Sequence, residues 1–461
     1  MSSRALRVAR WGAAALAAML FPCASAAAVA PPVADPAALP SDSAPSPSAM
    51  VQRSDCVTAG VVAGTTPLLA SPSQAMLDLP AAWRFSRGEG ETVAVIDTGV
   101  QPGSRLPNVD AGGDYVGSTD GLLDCDGHGT LVAGIIAGQP GEHDEFAGVA
   151  PDARILSLRQ TSAMYDLRTV GGSDPSEERT THAVETLSRA IVHAANLGAR
   201  VISVPVFFCV PADRHIDQAT LGAAIRYAVI DKDVVLVAAA GNTGASGLAF
   251  ACESNPLTDL SRPEDPRNWA GAFSLSTPAW WQPYVLSVGS VDPDGRPSAF
   301  SVAGPWVGAA APGEAIVSVS NSDGTALANG LPNHDGQLMP ISGTGYAAAY
   351  VSGVAALVRS RYPQLTASQV VERISLTARN PARSPSNLLG AGIVDPVAAL
   401  TWDLPATTRR IAAVQRISLP PTPPVDNPIP MRIAFAATGV LAAGVLLTAV
   451  VAARRRTDDQ T

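Results

Sequence analysis

Val93-Ala94-Val95-Ile96-Asp97-Thr98-Gly99 is a short apolar run that ends in a carboxylate and a glycine turn. A strand that is apolar on both faces belongs inside a sheet covered on both sides, and such sheets are parallel. The pattern recurs outward from this stretch. Thr92–Ile96, Ala153–Leu158, the continuous run Val201–Phe207, Val234–Ala239 and Tyr284–Val291 read as strands. Between them, Thr130–Ala137, Thr181–Leu197, Leu221–Ile230 and the small-residue stretch Gly345–Arg361 read as helices. In Thr181–Leu197 the apolar residues Val184, Leu187, Ile191 and Ala194 keep the helical period. Thr366 and Gln369 have the spacing of a capping box for a further helix. Strands alternating with helices, without an internal repeat, predict one α/β domain: a parallel sheet with helices on both faces.

Composition agrees with a globular chain. Of 461 residues, 47% are hydrophobic and 15% charged, which supplies a core and excludes a disordered polymer. Lys and Arg number 31 and Asp and Glu 40, giving a net charge of −9. That balance excludes a general nucleic-acid binder, which needs a basic field.

Both ends carry targeting signals. Arg4, Arg7 and Arg10 precede the apolar run Trp11–Phe21, and Ala24-Ser25-Ala26 offers small residues for cleavage. Residues 1–26 therefore read as a secretory signal peptide. The run Ile433–Ala453 holds no charge and is followed by Arg454, Arg455 and Arg456. As a helix it spans about 31 Å, enough for a bilayer. Residues 431–456 are thus expected to form one C-terminal transmembrane helix with its basic end, and the tail 457–461, in the cytoplasm. Pro420, Pro421, Pro423, Pro424, Pro428 and Pro430 make 404–430 an extended tether. An N-terminal extension, 27–90, precedes the main domain, 91–403.

Cys23 falls in the signal peptide, leaving Cys56, Cys125, Cys209 and Cys252. Four cysteines in an exported chain predict two disulfides, with three possible pairings. No close cysteine pair or His–His spacing suggests zinc, and no clear ligand cluster argues for calcium; no metal site is assigned from the sequence and no cofactor is expected.

Four segments carry chemistry. Asp97 ends a buried strand. Asp126-Gly127-His128-Gly129-Thr130 sets a histidine between glycines before a helix. Ala238-Ala239-Ala240-Gly241-Asn242 ends a strand with an amide, and Ile341-Ser342-Gly343-Thr344-Gly345-Tyr346-Ala347-Ala348 turns through glycines into a helix. In this order the segments resemble the subtilisin-like serine proteases. Phe300-Ser301 ahead of Ala311-Pro312-Gly313, and Gly390-Ala391-Gly392-Ile393-Val394-Asp395, extend the likeness over about Thr92 to Leu400. The resemblance implies that Asp97 orients the imidazole, His128 carries the proton and Asn242 donates to an oxyanion.

The chain departs from that pattern at the nucleophile. Gly345 stands where the family has serine, and glycine cannot form an acyl-enzyme. Ser342 precedes the turn and should point elsewhere; the Thr344 hydroxyl belongs to a neighbouring direction. Pro205, in the strand that meets substrate backbone in that family, removes a backbone donor.

The layout resembles one subgroup more closely, the mycosins, membrane-anchored subtilases of type VII secretion. The likeness rests on the cysteine-bearing extension, Trp280-Trp281 before Tyr284-Val285-Leu286-Ser287-Val288-Gly289, the stretch Tyr346-Ala347-Ala348-Ala349-Tyr350-Val351-Ser352-Gly353, the tether and the terminal apolar helix. It implies an extension that wraps the domain, with Cys56–Cys125 and Cys209–Cys252 bridges. It also implies partners in a secretion membrane complex, an extracytoplasmic peptidase domain and, for an active form, a secreted protein substrate. Trp280-Trp281 reads as buried core in preference to a contact surface. Three functions follow as expectations: a catalytically impaired structural component of the secretion complex, an active serine endopeptidase, and a peptide-binding module that does not cut.

Overall fold

The computed structural model describes residues 28–42, 50–169, 174–245, 251–259, 261–333, 335–379, 385–404 and 438–451. The signal peptide, Cys23 and the tether from residue 405 onward lie outside the described residues. The chain divides into two units, Met1–Leu404 and Pro405–Thr461.

Seven parallel strands form the central sheet of the first unit. They are β1 (Thr92–Asp97), β2 (Val109–Asp114), β3 (Arg154–Arg159), β4 (Val201–Val204), β5 (Val235–Ala239), β6 (Val285–Val291) and β7 (Val307–Pro312). Their spatial order is β7-β6-β5-β4-β1-β3-β2, with every neighbouring pair parallel. Five helices matter for the site: α1 (His128–Ala137), α2 (Pro175–Asn196), α3 (Ala219–Arg226), α4 (Thr344–Arg361) and α5 (Ala367–Thr377).

Alternation along the strands builds two cores. Val93, Val95, Val201, Val237 and Val288 face α1 and α4. Ala94, Ile96, Ile202, Val204 and Leu236 face the other way, onto Val184, Leu187 and Ile191 of α2 and Leu221 of α3. Covering both faces is what makes the strands read as continuous apolar runs. Helix α4 is buried from Thr344 to Arg359. Its small residues let it run through the centre: a Cβ on Gly353 would lie 2.5 Å from Val149.

Several elements differ from the sequence expectation. The run Val201–Phe207 is not one strand. Parallel pairing stops at Val204, before Pro205, which has no N–H to give. Residues Phe208–Pro211 then pair antiparallel with Ser274–Thr277. Helix α2 starts six residues before Thr181, at Pro175, because Asp174 caps Ser176 and Glu177 and proline suits the first turn. The expected helix Leu221–Ile230 is an α-helix to Arg226 and a π-turn from Tyr227 to Asp231. Strands β2 and β7 escape the sequence reading because Gly112, Gly113 and the Ala309–Ala311 run lack β-branched residues; their place on the two sheet edges decides them. The Thr366–Gln369 capping box is present.

Trp281 belongs to the core, and the half-buried Trp280 packs against it. Both indole N–H groups donate to Gln218 Oε1, and Trp281 packs so closely on α3 that a Cβ on Gly222 would meet it.

In the second unit, residues 438–451 are helical and exposed. Among the described residues no helix is long and apolar enough to cross a membrane. The described turns reach about 21 Å, short of a bilayer's roughly 30 Å core. The remaining residues of the expected span lie outside the described residues.

Candidate active site

The site sits at the carboxyl edge of the sheet, where ligands bind in folds of this kind. Strand β1 delivers Asp97, fully buried at its last position. Helix α1 delivers His128 from its first turn. The two meet: His128 Nδ1 lies 2.8 Å from Asp97 Oδ1 and 2.9 Å from Oδ2. Close approach requires glycine at 129, since a Cβ there would lie 2.0 Å from the Gly99 carbonyl oxygen.

The loop before His128 is held by Asp124. Its Oδ1 accepts from Thr98 Oγ1, Asp126 N and Gly127 N, and its Oδ2 from Thr130 N and Thr130 Oγ1. Asp126 accepts from Ser162 Oγ and Ala163 N. Burial raises the Asp126 carboxyl to about 6 despite those donors, with Asp124 adding to the rise. Burial pulls the His128 imidazole down, but the charge and hydrogen bond of Asp97, helped by Asp124 and Asp126, hold it above its ordinary value.

The third segment comes from α4. Thr344 N and Thr344 Oγ1 both donate to Asn242 Oδ1, at 3.0 and 2.9 Å. The Thr344 hydroxyl also accepts from Gly241 N, so it is committed to the strand-to-helix junction. Fixing Oδ1 leaves the Asn242 Nδ2 group, beside Gly343, with the protons to donate. Gly345 N–H lies in the first turn of α4, where helices leave donors without intrahelical partners. Ser342 is exposed before the turn.

Gly345 faces the imidazole. A Cβ there would lie 3.3 Å from His128 Nε2. It would also lie 2.7 Å from the Pro205 carbonyl oxygen, closer than a real Cβ approaches backbone. The Pro205 carbonyl therefore narrows the slot.

A strap crosses this region. Met50–Gln52 pairs antiparallel with Tyr165–Leu167. Val57 N donates to Cys125 O, Cys56 is disulfide-bonded to Cys125, and Ala59 N donates to Asn321 Oδ1. Asn321 Nδ2 in turn donates to Val57 O and Asp124 O, tying the strap to the His128 loop. Cys209 is bonded to Cys252, closing the segment that contains Asn242.

The comparisons with known proteins point to one family. The model of the subtilase family matches residues 88–392. Mycosin-3 of Mycobacterium tuberculosis is 61% identical over 434 residues, covering 93% of this chain and 94% of its own. This chain belongs to the mycosins, within the subtilase family. A structure of the MycP3 protease from the type VII (ESX-3) secretion system superposes with a TM-score of 0.78 at 60% identity. It covers 81% of this chain and 100% of that one. A chain in the intact ESX-5 inner membrane complex matches this mycosin with a TM-score of 0.77 at 44% identity, covering 92% and 99%.

The sequence placed Asp97, His128, Asn242 and Gly345 by motif, and the fold brings all four together. Asp124 and Asn321 were missed. Asp124 stands four residues before His128, a spacing that was available to read. Asn321 has no local signal, because its partners lie nearly 200 residues or more away in sequence.

Chemically, the carboxylate–imidazole pair can take a proton at Nε2, and the Asn242 amide with Gly345 N–H can stabilise negative charge. A side-chain nucleophile is what the cleft lacks at 345.

Proposed function

We propose that this mycosin is a catalytically impaired structural component of a type VII secretion membrane complex. The observation that carries the proposal is Gly345, opposite His128 Nε2, with no hydroxyl to attack a peptide bond. In subtilisin, the well-studied member of this family, loss of the nucleophile lowers kcat by about 2 × 10⁶. The assembly role is supported by relatives that are themselves found in an ESX-5 inner membrane complex and its periplasmic assembly. Export by residues 1–26 and anchoring by 431–456 place the folded domain outside the membrane.

In a strain lacking the gene, this glycine form is expected to restore secretion and the intact membrane complex. Failure to restore either removes the structural role. A fluorophosphonate probe is expected to leave the purified chain unlabelled; stoichiometric labelling makes it an active serine endopeptidase instead.

A further inference from the structure

We infer that the cavity beside the strap is a binding site for a carboxylate, held between His182, Arg179 and Arg53. The cavity measures about 300 Å³, the lower end of the range for small-molecule sites. Its walls are the strap at Met50 and Arg53, the loop after β3 from Gln160 to Ala163, the strand Tyr165–Leu167 and the early turns of α2. Among the described residues it shares no lining group with Asp97, His128, Asn242, Pro205 or Gly345. Met50 and Arg53 also precede residues 88–392, the span that the subtilase family model matches, so one wall lies outside the family's common domain. The site does not depend on Gly345.

Several polar groups in these walls are already committed. Ser162 Oγ donates to Asp126 Oδ2, and Ala163 N to Asp126 Oδ1. Gln160 Nε2 donates to Thr186 Oγ1 at 2.9 Å, and Thr186 Oγ1 to the His182 carbonyl, also at 2.9 Å. The His182 ring is the exception. Its Nε2 is buried and has no hydrogen-bond partner. Leaving a buried polar atom unpaired is costly, so this wall calls for a polar occupant. Arg179 gives Nε and Nη2 to Asp166 as a fork, at 2.9 and 2.8 Å, which leaves Nη1 outside the fork. Arg53 gives Nη2 to the carbonyls of Leu167 and Arg168, and its charge acts on the same Asp166. Two guanidinium groups therefore line the cavity against one carboxylate, in a chain whose net charge is −9.

A second carboxylate answers both deficits. Arg179 and His182 stand three residues apart on α2 and share one face of it. A carboxylate laid on that face accepts from the His182 ring N–H and from Arg179, while Arg53 adds charge from the strap. Met50, Ala163, Leu167 and Ala183 give a short carbon chain apolar walls to lie against. Charge-assisted bonds of this kind favour the acid over its amide by about tenfold or more. A free short-chain acid and the side chain of a peptide glutamate both carry the group.

The test is titration of the full chain in detergent, followed by saturation-transfer difference NMR. The probes are succinate, N-acetylglutamate amide, and their neutral counterparts succinamide and N-acetylglutamine amide. At least one acid is expected to saturate, with an affinity about tenfold above that of its neutral counterpart. Succinate alone assigns a free acid, N-acetylglutamate amide alone assigns a peptide side chain, and both together assign the shared group. Arg53→Gln, on the exposed strap, and His182→Gln should each weaken binding several-fold, and Arg53→Lys should recover most of the loss. Asn242→Ala should leave binding unchanged, because the cavity is separate from the catalytic segments. Equal response to acids and neutral counterparts, no saturation by either acid, affinity unchanged in both Arg53→Gln and His182→Gln, or loss of binding in Asn242→Ala overturns the inference.

Discussion

Asp124 shows how one side chain organises a site it never touches directly. Its five accepted hydrogen bonds fix Thr98, the turn before His128 and the first turn of α1. Asp124→Ala leaves those buried donors unpaired, and each such loss costs on the order of 1–3 kcal/mol. Denaturant unfolding is expected to report a loss of about 3–5 kcal/mol, and the His128 ring resonances should broaden. Asp126 gives a pH signature. Its folded pKa of about 6 lies above the ordinary 3.8, so the folded state keeps the proton as pH rises while the unfolded chain releases it. Stability from this residue therefore falls as pH rises from about 4 to about 6, by about 3 kcal/mol, and the penalty persists above that window. His128, raised as well, adds stability at low pH that is lost as pH rises through its own pKa. The difference between the parent and Asp126→Asn isolates the first contribution; parallel stability curves for the two refute it. Gly345→Ser places a hydroxyl within reach of Nε2 but drives Cβ against the Pro205 carbonyl. The variant should gain fluorophosphonate labelling while unfolding about 1–3 kcal/mol more readily, the usual range for overpacking.

Helix α4 and the pair Trp280-Trp281 illustrate what elements add. The small residues of α4 were legible as a helix, but not as the central one; their meaning is the close approach of Val149 and of β4, β5 and β6. Trp281 was legible as core in preference to surface, and its anchor is Gln218, 63 residues away in sequence. Trp281→Ala opens a cavity under α3 and strands Gln218 Oε1 with one fewer donor. The expected cost is about 3–5 kcal/mol by thermal or chemical denaturation. Loss below 1 kcal/mol means the tryptophan is not packed as described. Strand β4 was over-read because apolar residues continue past Val204; Pro205 ends the pairing, and hydropathy is blind to hydrogen-bond donors.

Over the whole molecule, the strap is the feature that joins distant parts. Residues from Met50 to Gly60 reach β-pairing, a disulfide and Asn321, and so brace the His128 loop from outside the sheet. The Cys56–Cys125 bond closes a loop of sequence separation 69. In the chain-entropy picture, Cys56→Ser costs about 4 kcal/mol. Thermal unfolding of that variant should match the parent's behaviour under reduction at this bond, whereas an unchanged midpoint shows that the strap holds without its covalent tie.

The alternation of apolar strands and helices, the order of Asp97, His128, Asn242 and Gly345, and the absence of a nucleophile at 345 were fixed by the sequence alone. Each follows from local chemistry: a residue's side chain and its neighbours within one turn or strand. Tertiary structure alone decided the edge strands β2 and β7, the anchoring of Asp124 and Asn321, and the intrusion of the Pro205 carbonyl toward Gly345. These depend on hydrogen bonds and close approaches between segments far apart in the chain, which no local pattern encodes until packing brings them together.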